Sequence, residues 1–311
     1  MFAKKDTPKP SLWLVTHPEL DRDYMHFQPA MAGGPPRPAF EVTPFDPAAR
    51  GISPLNAWWL ADAALLSYWA PDIATERFHA GAALDSEPFD REGTQGYVAW
   101  NDKAAIVAFR GTQPNEGADV WSDIDFVPKL WGKGGTVHEG FVGALEPVWN
   151  DVETMLKKLP GRSVWFAGHS LGAALATLAA DRFGEAAGVY TLGSPRVGDP
   201  DFVAGFNERH SGRSFRYVNN HDVVTHVPPS KWKFGHVDSE RLFGGAGTIV
   251  AGAAKAGDDV IKAAAKHFED DVRAIISGAS LVPPSVIDHT PRRYATFMWN
   301  AFVDTAAAAG R

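Results

Sequence analysis

Phe166-Ala-Gly-His-Ser-Leu-Gly-Ala-Ala-Leu-Ala-Thr-Leu178 is the stretch that decides the reading of this chain. The apolar run Ser163-Val-Trp-Phe-Ala167 leads into it and fits a short buried strand. The small and aliphatic residues from Ala173 to Phe183 fit a helix. Between them one serine is held by Gly168-His-Ser-Leu-Gly172, a G-x-S-x-G pattern. A nucleophilic serine must stand above the sheet edge, and a sharp strand-to-helix turn puts it there. Residues two positions away on either side must be small, or strand and helix collide. The new helix also turns its free N–H groups and the positive end of its dipole toward the serine. Three fixed residues occur by chance roughly one time in ten in a chain this long, given ordinary glycine and serine usage. The strand before and the helix after carry more weight than the pattern itself. The competing reading is a tight turn whose serine only caps the helix.

Working outward, Gly96-Tyr-Val-Ala-Trp100, Asn101-Asp102 and Ala104-Ala-Ile-Val-Ala-Phe109 read as strand, turn and strand. His138 to Leu159 fits a helix, and Val189–Leu192 and Ser214–Val218 fit further strands. Buried strands alternating with helices predict an α/β sheet covered on both faces. Ser53-Pro54 predicts a helix start, serine as cap and proline in the first turn. Leu55, Trp58, Trp59, Asp62, Leu65, Leu66 and Trp69 then put the apolar residues mostly on one face. Residues 1–50 hold nine of the 23 prolines and read as an extended arm packed on the core, with 51–311 a single domain. The Ala- and Gly-rich stretch 244–280 reads as one or two surface helices.

Composition narrows the function. The 311 residues are 45% apolar and 22% charged, ordinary for a globular protein. A net charge of -7 without a Lys/Arg-rich block argues against nucleic acid as partner. There is no cysteine, hence no disulfide or thiolate chemistry. No run is long and apolar enough to span a bilayer. Met1 to Pro10 lacks the apolar segment of a signal peptide, so secretion is not written there. His138 stands before Glu139 without the second histidine that a zinc helix needs, so no metal is expected.

A serine nucleophile needs a base, and the base an orienting acid, in the chain order serine, acid, histidine. Asp222 follows the strand around Phe215–Val218 and is the favoured acid; Asp199, Asp201 and Asp238 are its rivals. His289, in Pro283-Pro-Ser-Val-Ile-Asp-His-Thr290, fits the base, and pattern alone does not separate it from His236. The N–H of Leu171 is placed to donate to an oxyanion. Thr112, in the segment Ala108-Phe-Arg-Gly-Thr112 that ends an apolar strand, can supply a second donor.

Six blocks together resemble the class 3 lipases, the fungal-lipase-like branch of the α/β-hydrolases. They are Val107–Thr112, Val137–Phe141, Gly168–Gly172, Tyr190–Gly198, Asn220–Pro228 and His289–Tyr294. The likeness runs from about Asn56 to Phe297. It implies an α/β-hydrolase fold and a carboxylic-ester hydrolase, a triacylglycerol lipase first of all, acting on lipid or ester substrate at an oil–water interface with no cofactor. It implies Ser170 as nucleophile, Asp222 as acid, His289 as base, and Leu171 and Thr112 as the oxyanion hole. His169 matches a common elbow histidine that is not a base. The resemblance also implies a short amphipathic lid after Thr112. There Val120, Trp121 and Ile124 share one helical face, and Asp119, Ser122 and Asp123 lie on the others. Such a lid covers the site in water and opens where its apolar face meets lipid. A phospholipase A1, a feruloyl-type or short-chain esterase and a non-catalytic lipase-like binding protein are the alternatives. Elbow Gly172 is followed by Ala173 where glycine is frequent, and the disulfides of secreted fungal members are missing.

Overall fold

The computed structural model describes residues 44–112, 127–219, 222–228, 232–243, 249–251 and 288–308. In chain order the helices are α1 (Pro54–Leu66), α2 (Pro71–Ala82), α3 (Glu139–Lys157), α4 (Leu171–Phe183), α5 (Pro200–Arg209) and α6 (Pro291–Ala308). The strands are β1 (Asp85–Arg91), β2 (Thr94–Trp100), β3 (Ala104–Phe109), β4 (Pro128–Leu130), β5 (Thr136–His138), β6 (Ser163–His169), β7 (Gly188–Leu192), β8 (Ser214–Asn219), β9 (Glu240–Phe243) and β10 (Ile249–Ala251). Eight of them form one sheet in the order β1-β2-β3-β6-β7-β8-β9-β10. The five strands β3, β6, β7, β8 and β9 run parallel, and antiparallel strands finish both edges. This is the α/β-hydrolase architecture.

Alternation of side chains across the pleat builds two cores from the same strands. Ile106, Ala108, Trp165, Ala167 and Tyr190 face α1 and α6. Val107, Phe109, Val164, Phe166 and Val189 face α3 and α4. Every residue of β3, β7 and β8 is buried, as strands covered on both faces must be. The parallel register sets Phe109 beside Gly168, so the ends of β3 and β6 finish at the same level.

Several expectations change. Ser53 caps α1 by accepting from Asn56 N at 3.2 Å, with Pro54 in the first turn. The helix is not amphipathic, however: Asn56 through Leu66 are all buried, because α6 covers the face that the sequence leaves to solvent. Trp58 packs edge-on against Trp299 and stacks over Phe302 of α6. His138 is the cap of α3 rather than its first residue, its Nδ1 accepting from Gly140 N. Helix α4 begins at Leu171, two residues before the sequence suggests. Residues 249–251 are a strand added to the sheet edge through β9, not part of a surface helix. The remainder of 244–280 and residues 1–43 of the Pro-rich arm lie outside the described residues. Of that arm, Phe45 is buried edge-on against Trp165, and Asn56 fixes Asp46 through two hydrogen bonds. No helix among the described residues is long and apolar enough to cross a membrane.

Candidate active site

Ser170 sits between β6 and α4 at φ 60°, ψ -130°, a conformation costly for any side chain that is not glycine. The flanking glycines are there for contact. A Cβ on Gly168 would lie 2.1 Å from the Gly172 carbonyl oxygen, and one on Gly172 would lie 2.2 Å from that of Phe109. The serine N–H donates to the Leu192 carbonyl at 2.9 Å, which fastens the turn to β7. Ser170 is 2% exposed.

A chain of hydrogen bonds leaves its hydroxyl. His289 Nε2 lies 2.8 Å from Ser170 Oγ, and His289 Nδ1 lies 2.9 Å from both carboxylate oxygens of Asp222. Asp222 can only accept there, so Nδ1 carries the proton and Nε2 is free to receive one from the serine. Asp222 stands just past β8, fully buried, and caps a short 3₁₀ turn, Val223–His226, by accepting from Val224 N at 3.0 Å. Its other oxygen accepts from the Tyr294 hydroxyl at 2.6 Å, and that hydroxyl accepts from Asn219 N at 2.8 Å. Burial and the adjacent Asp222 carboxylate hold the Tyr294 phenol well above its usual range, so it stays a donor.

His169 is placed differently. Its Nε2 lies 2.6 Å from the His289 carbonyl oxygen, which can only accept, so that nitrogen carries the proton. Nδ1 therefore accepts from the Tyr68 hydroxyl, 2.7 Å away. Burial first, and then the neighbouring His289, push His169 well below the ordinary histidine range. It is a neutral peg for the backbone of His289.

The rivals are engaged elsewhere. His236 gives its Nε2 to the Thr225 carbonyl at 2.7 Å and is pushed well down by burial. Asp199 caps α5 and accepts from Thr136 Oγ1. Asp238 accepts from Arg216 N and from Arg241. Asp201 is exposed in the first turn of α5. Thr112 and Leu171 border one cavity of about 230 Å³. Leu171 opens α4, where a helix leaves its N–H groups without intrahelical partners. The Thr112 hydroxyl oxygen is buried without a hydrogen-bond partner among the described residues. Gly111 brings this loop against the elbow, since a Cβ there would lie 2.9 Å from Ser170 Cβ and 2.6 Å from the His169 carbonyl oxygen. Val120, Trp121 and Ile124 lie outside the described residues.

Sequence reasoning did not assign Tyr294 or Tyr68 a part in this arrangement. Tyr294 carried a signal, since a tyrosine five residues after His289 falls one helical turn into α6. Tyr68 carried none, because its contact to His169 spans 101 residues.

The chain is similar to known lipases. The class 3 lipase profile matches residues 106–232. A lipase of Rhizopus niveus is 33% identical over 205 residues, covering 60% of this chain and 48% of its own length. The chain thus spans about half the length of the curated relatives it matches. The solved Rhizomucor miehei lipase is 26% identical with a TM-score of 0.53, over 70% of this chain and 80% of its own. A solved triacylglycerol lipase, its catalytic centre formed by a serine protease triad, is 29% identical with a TM-score of 0.51, over 60% and 78%.

Proposed function

The chain belongs to the class 3 lipase family, and on that premise we propose that it hydrolyses acylglycerol esters, triacylglycerols first, through Ser170, His289 and Asp222. The unbroken hydrogen-bonded path from Ser170 Oγ through His289 to Asp222 is the observation that carries this reading. His289 Nε2 takes the serine proton as Oγ attacks the ester carbonyl. Asp222 holds the imidazole in the required tautomer and balances the imidazolium that forms. The tetrahedral oxyanion is received by N–H groups of Leu171 and Thr112, each such donor contributing about 3 kcal/mol to the transition state. His289 returns the proton to the departing alcohol, and an acyl-enzyme remains. Water, activated by the same histidine, releases the fatty acid and restores Ser170. His169, held neutral, does not compete for the proton.

Residues 113–127 form the lid in this reading, with Val120, Trp121 and Ile124 as its apolar face. The test measures fatty-acid release from an emulsified long-chain triacylglycerol and cleavage of a soluble short-chain ester, with Ser170→Ala as control. Emulsion activity absent from the control is the expected result. Equal activity in wild type and control, or no labelling of Ser170 by a covalent serine-hydrolase probe, would overturn the reading.

A further inference from the structure

The cavity that borders Thr112 and Leu171 is polar over most of its wall and contains a cation. It is lined by the turn from Gly93 to Gln95, by Arg110 to Thr112, and by Leu171 and Leu175 of α4. Only the two leucines offer an apolar side chain, so the space suits the polar side of an ester better than an acyl chain. Arg110 is half-buried. One of its N–H groups donates to Gln95 Oε1, and its guanidinium lies 5.7 Å from the centre of the Tyr68 ring. Among the described residues Arg110 makes no ion pair. Gln95 holds it through a neutral acceptor. The Gln95 amide donates to Asp90 Oδ2 at 2.6 Å, which turns the amide oxygen toward Arg110. A neutral acceptor thus fixes the guanidinium and stands between it and the carboxylate. No carboxylate among the described residues pairs with the guanidinium, and its remaining N–H donors suit a bidentate oxyanion. In a chain of net charge -7 the attraction for an anion must be local.

We propose that this cavity is a subsite for a phosphate on the alcohol side of the ester, and that acylglycerol phosphates are substrates of Ser170. This rests on the hydrolase reading above. Water adds across the same ester bond, releasing a fatty acid and glycerol phosphate. Arg110 acts on specificity, binding the leaving group while Leu171 and Thr112 bind the oxyanion.

The experiment uses two soluble short-chain probes that differ only by the phosphate, 1-octanoylglycerol and 1-octanoylglycerol 3-phosphate. The expected result is a kcat/KM for the phosphate ester higher by roughly tenfold or more, the size of a charge-assisted contact. Arg110→Gln should bring the ratio close to one, and Arg110→Lys should retain part of it. Gln95→Glu, which sets a carboxylate against the guanidinium, should lower the ratio while leaving Arg110 in place. It serves as the test should Arg110→Gln not fold. A wild-type ratio of one or below, or a ratio unmoved in both Arg110→Gln and Gln95→Glu, overturns the proposal. Calorimetry on the Ser170→Ala protein separates this from a failure of the hydrolase reading. Tighter binding of the phosphate probe upholds the anion subsite even without turnover, and equal binding of both probes overturns it. Inorganic phosphate binding as tightly as the phosphate ester would assign the site to the free anion and overturn the substrate assignment.

Discussion

Tyr294 is the residue through which the holding of Asp222 is best tested. Its hydroxyl serves two buried groups at once, donating to Asp222 and accepting from Asn219 N. Tyr294→Phe leaves both without that partner, and the expected loss of stability is about 1–3 kcal/mol, read from the urea midpoint. As a positioning residue, Tyr294 should also affect the pH profile of kcat, since Asp222 without this donor holds His289 less firmly. An unchanged midpoint and an unchanged profile would deny it that role. Gly172 makes a different prediction, set by space alone. A methyl there meets the Phe109 carbonyl oxygen at 2.2 Å, and Gly172→Ala should cost on the order of 1–3 kcal/mol, measured by thermal unfolding.

At the scale of elements, two buried carboxyls respond to pH with opposite sign. Asp62 lies in the middle of α1, 1% exposed, and its Oδ1 has no hydrogen-bond partner among the described residues. The small cavity beside it is walled by apolar side chains from Phe45 to Ile106. Burial holds its carboxyl well above 3.8, so the folded state favours the protonated acid. Its contribution is fully present below pH 3.8 and is lost as pH rises through the folded value. Asp62→Asn should therefore raise Tm at pH 8 by on the order of 2–4 °C and leave it nearly unchanged near pH 3.5. A gain of the same size at both pH values would defeat this account. Asp181, at the end of α4, is the converse. Burial pushes its carboxyl up, but the contacts of His210, Arg209 and Trp131 outweigh burial and bring it down to about 2. Arg209 approaches through Nε at 2.8 Å and Nη2 at 3.1 Å, and Trp131 Nε1 donates at 2.7 Å. This stability is present above pH 3.8 and is lost as pH falls toward 2. Asp181→Asn should lower the urea midpoint at pH 7 and flatten its dependence on pH in that acid window.

The whole molecule carries the prediction about interfaces. In the proposed lid, Trp121→Ala should reduce activity on an emulsion more than on a soluble ester, because the substituted face loses apolar area at the lipid surface. Equal activity of wild type and variant on both substrates would remove the lid from the account. Membership of the class 3 lipases and the doubly covered sheet were both legible in the chain before any coordinates. Blocks such as Val107–Thr112 and Gly168–Gly172 are local, and each states its geometry within a few residues. The elements left unread were of another kind. Strand β1, Asp-Ser-Glu-Pro-Phe-Asp-Arg, is a polar edge strand with Phe89 its one buried residue, so neither alternation nor an apolar run announces it. Helix α1 was read as one-faced because nothing local reveals that α6, more than 200 residues later, covers its other side.

By itself, then, the sequence determined what is encoded over short distances. The elbow around Ser170 follows from glycine sterics, the start of α1 from Ser53 and Pro54, and the order of serine, acid and histidine from the chain. It left His289 and His236 equal on pattern, and only the resemblance separated them. Tertiary structure decided which histidine lies beside Ser170 Oγ, that His169 braces the His289 backbone, and that the amide oxygen of Gln95 accepts from Arg110. The physical reason is that each of these depends on hydrogen bonds between segments far apart in the chain or on the surroundings of a charge. Such partners meet only once both faces of the sheet are packed.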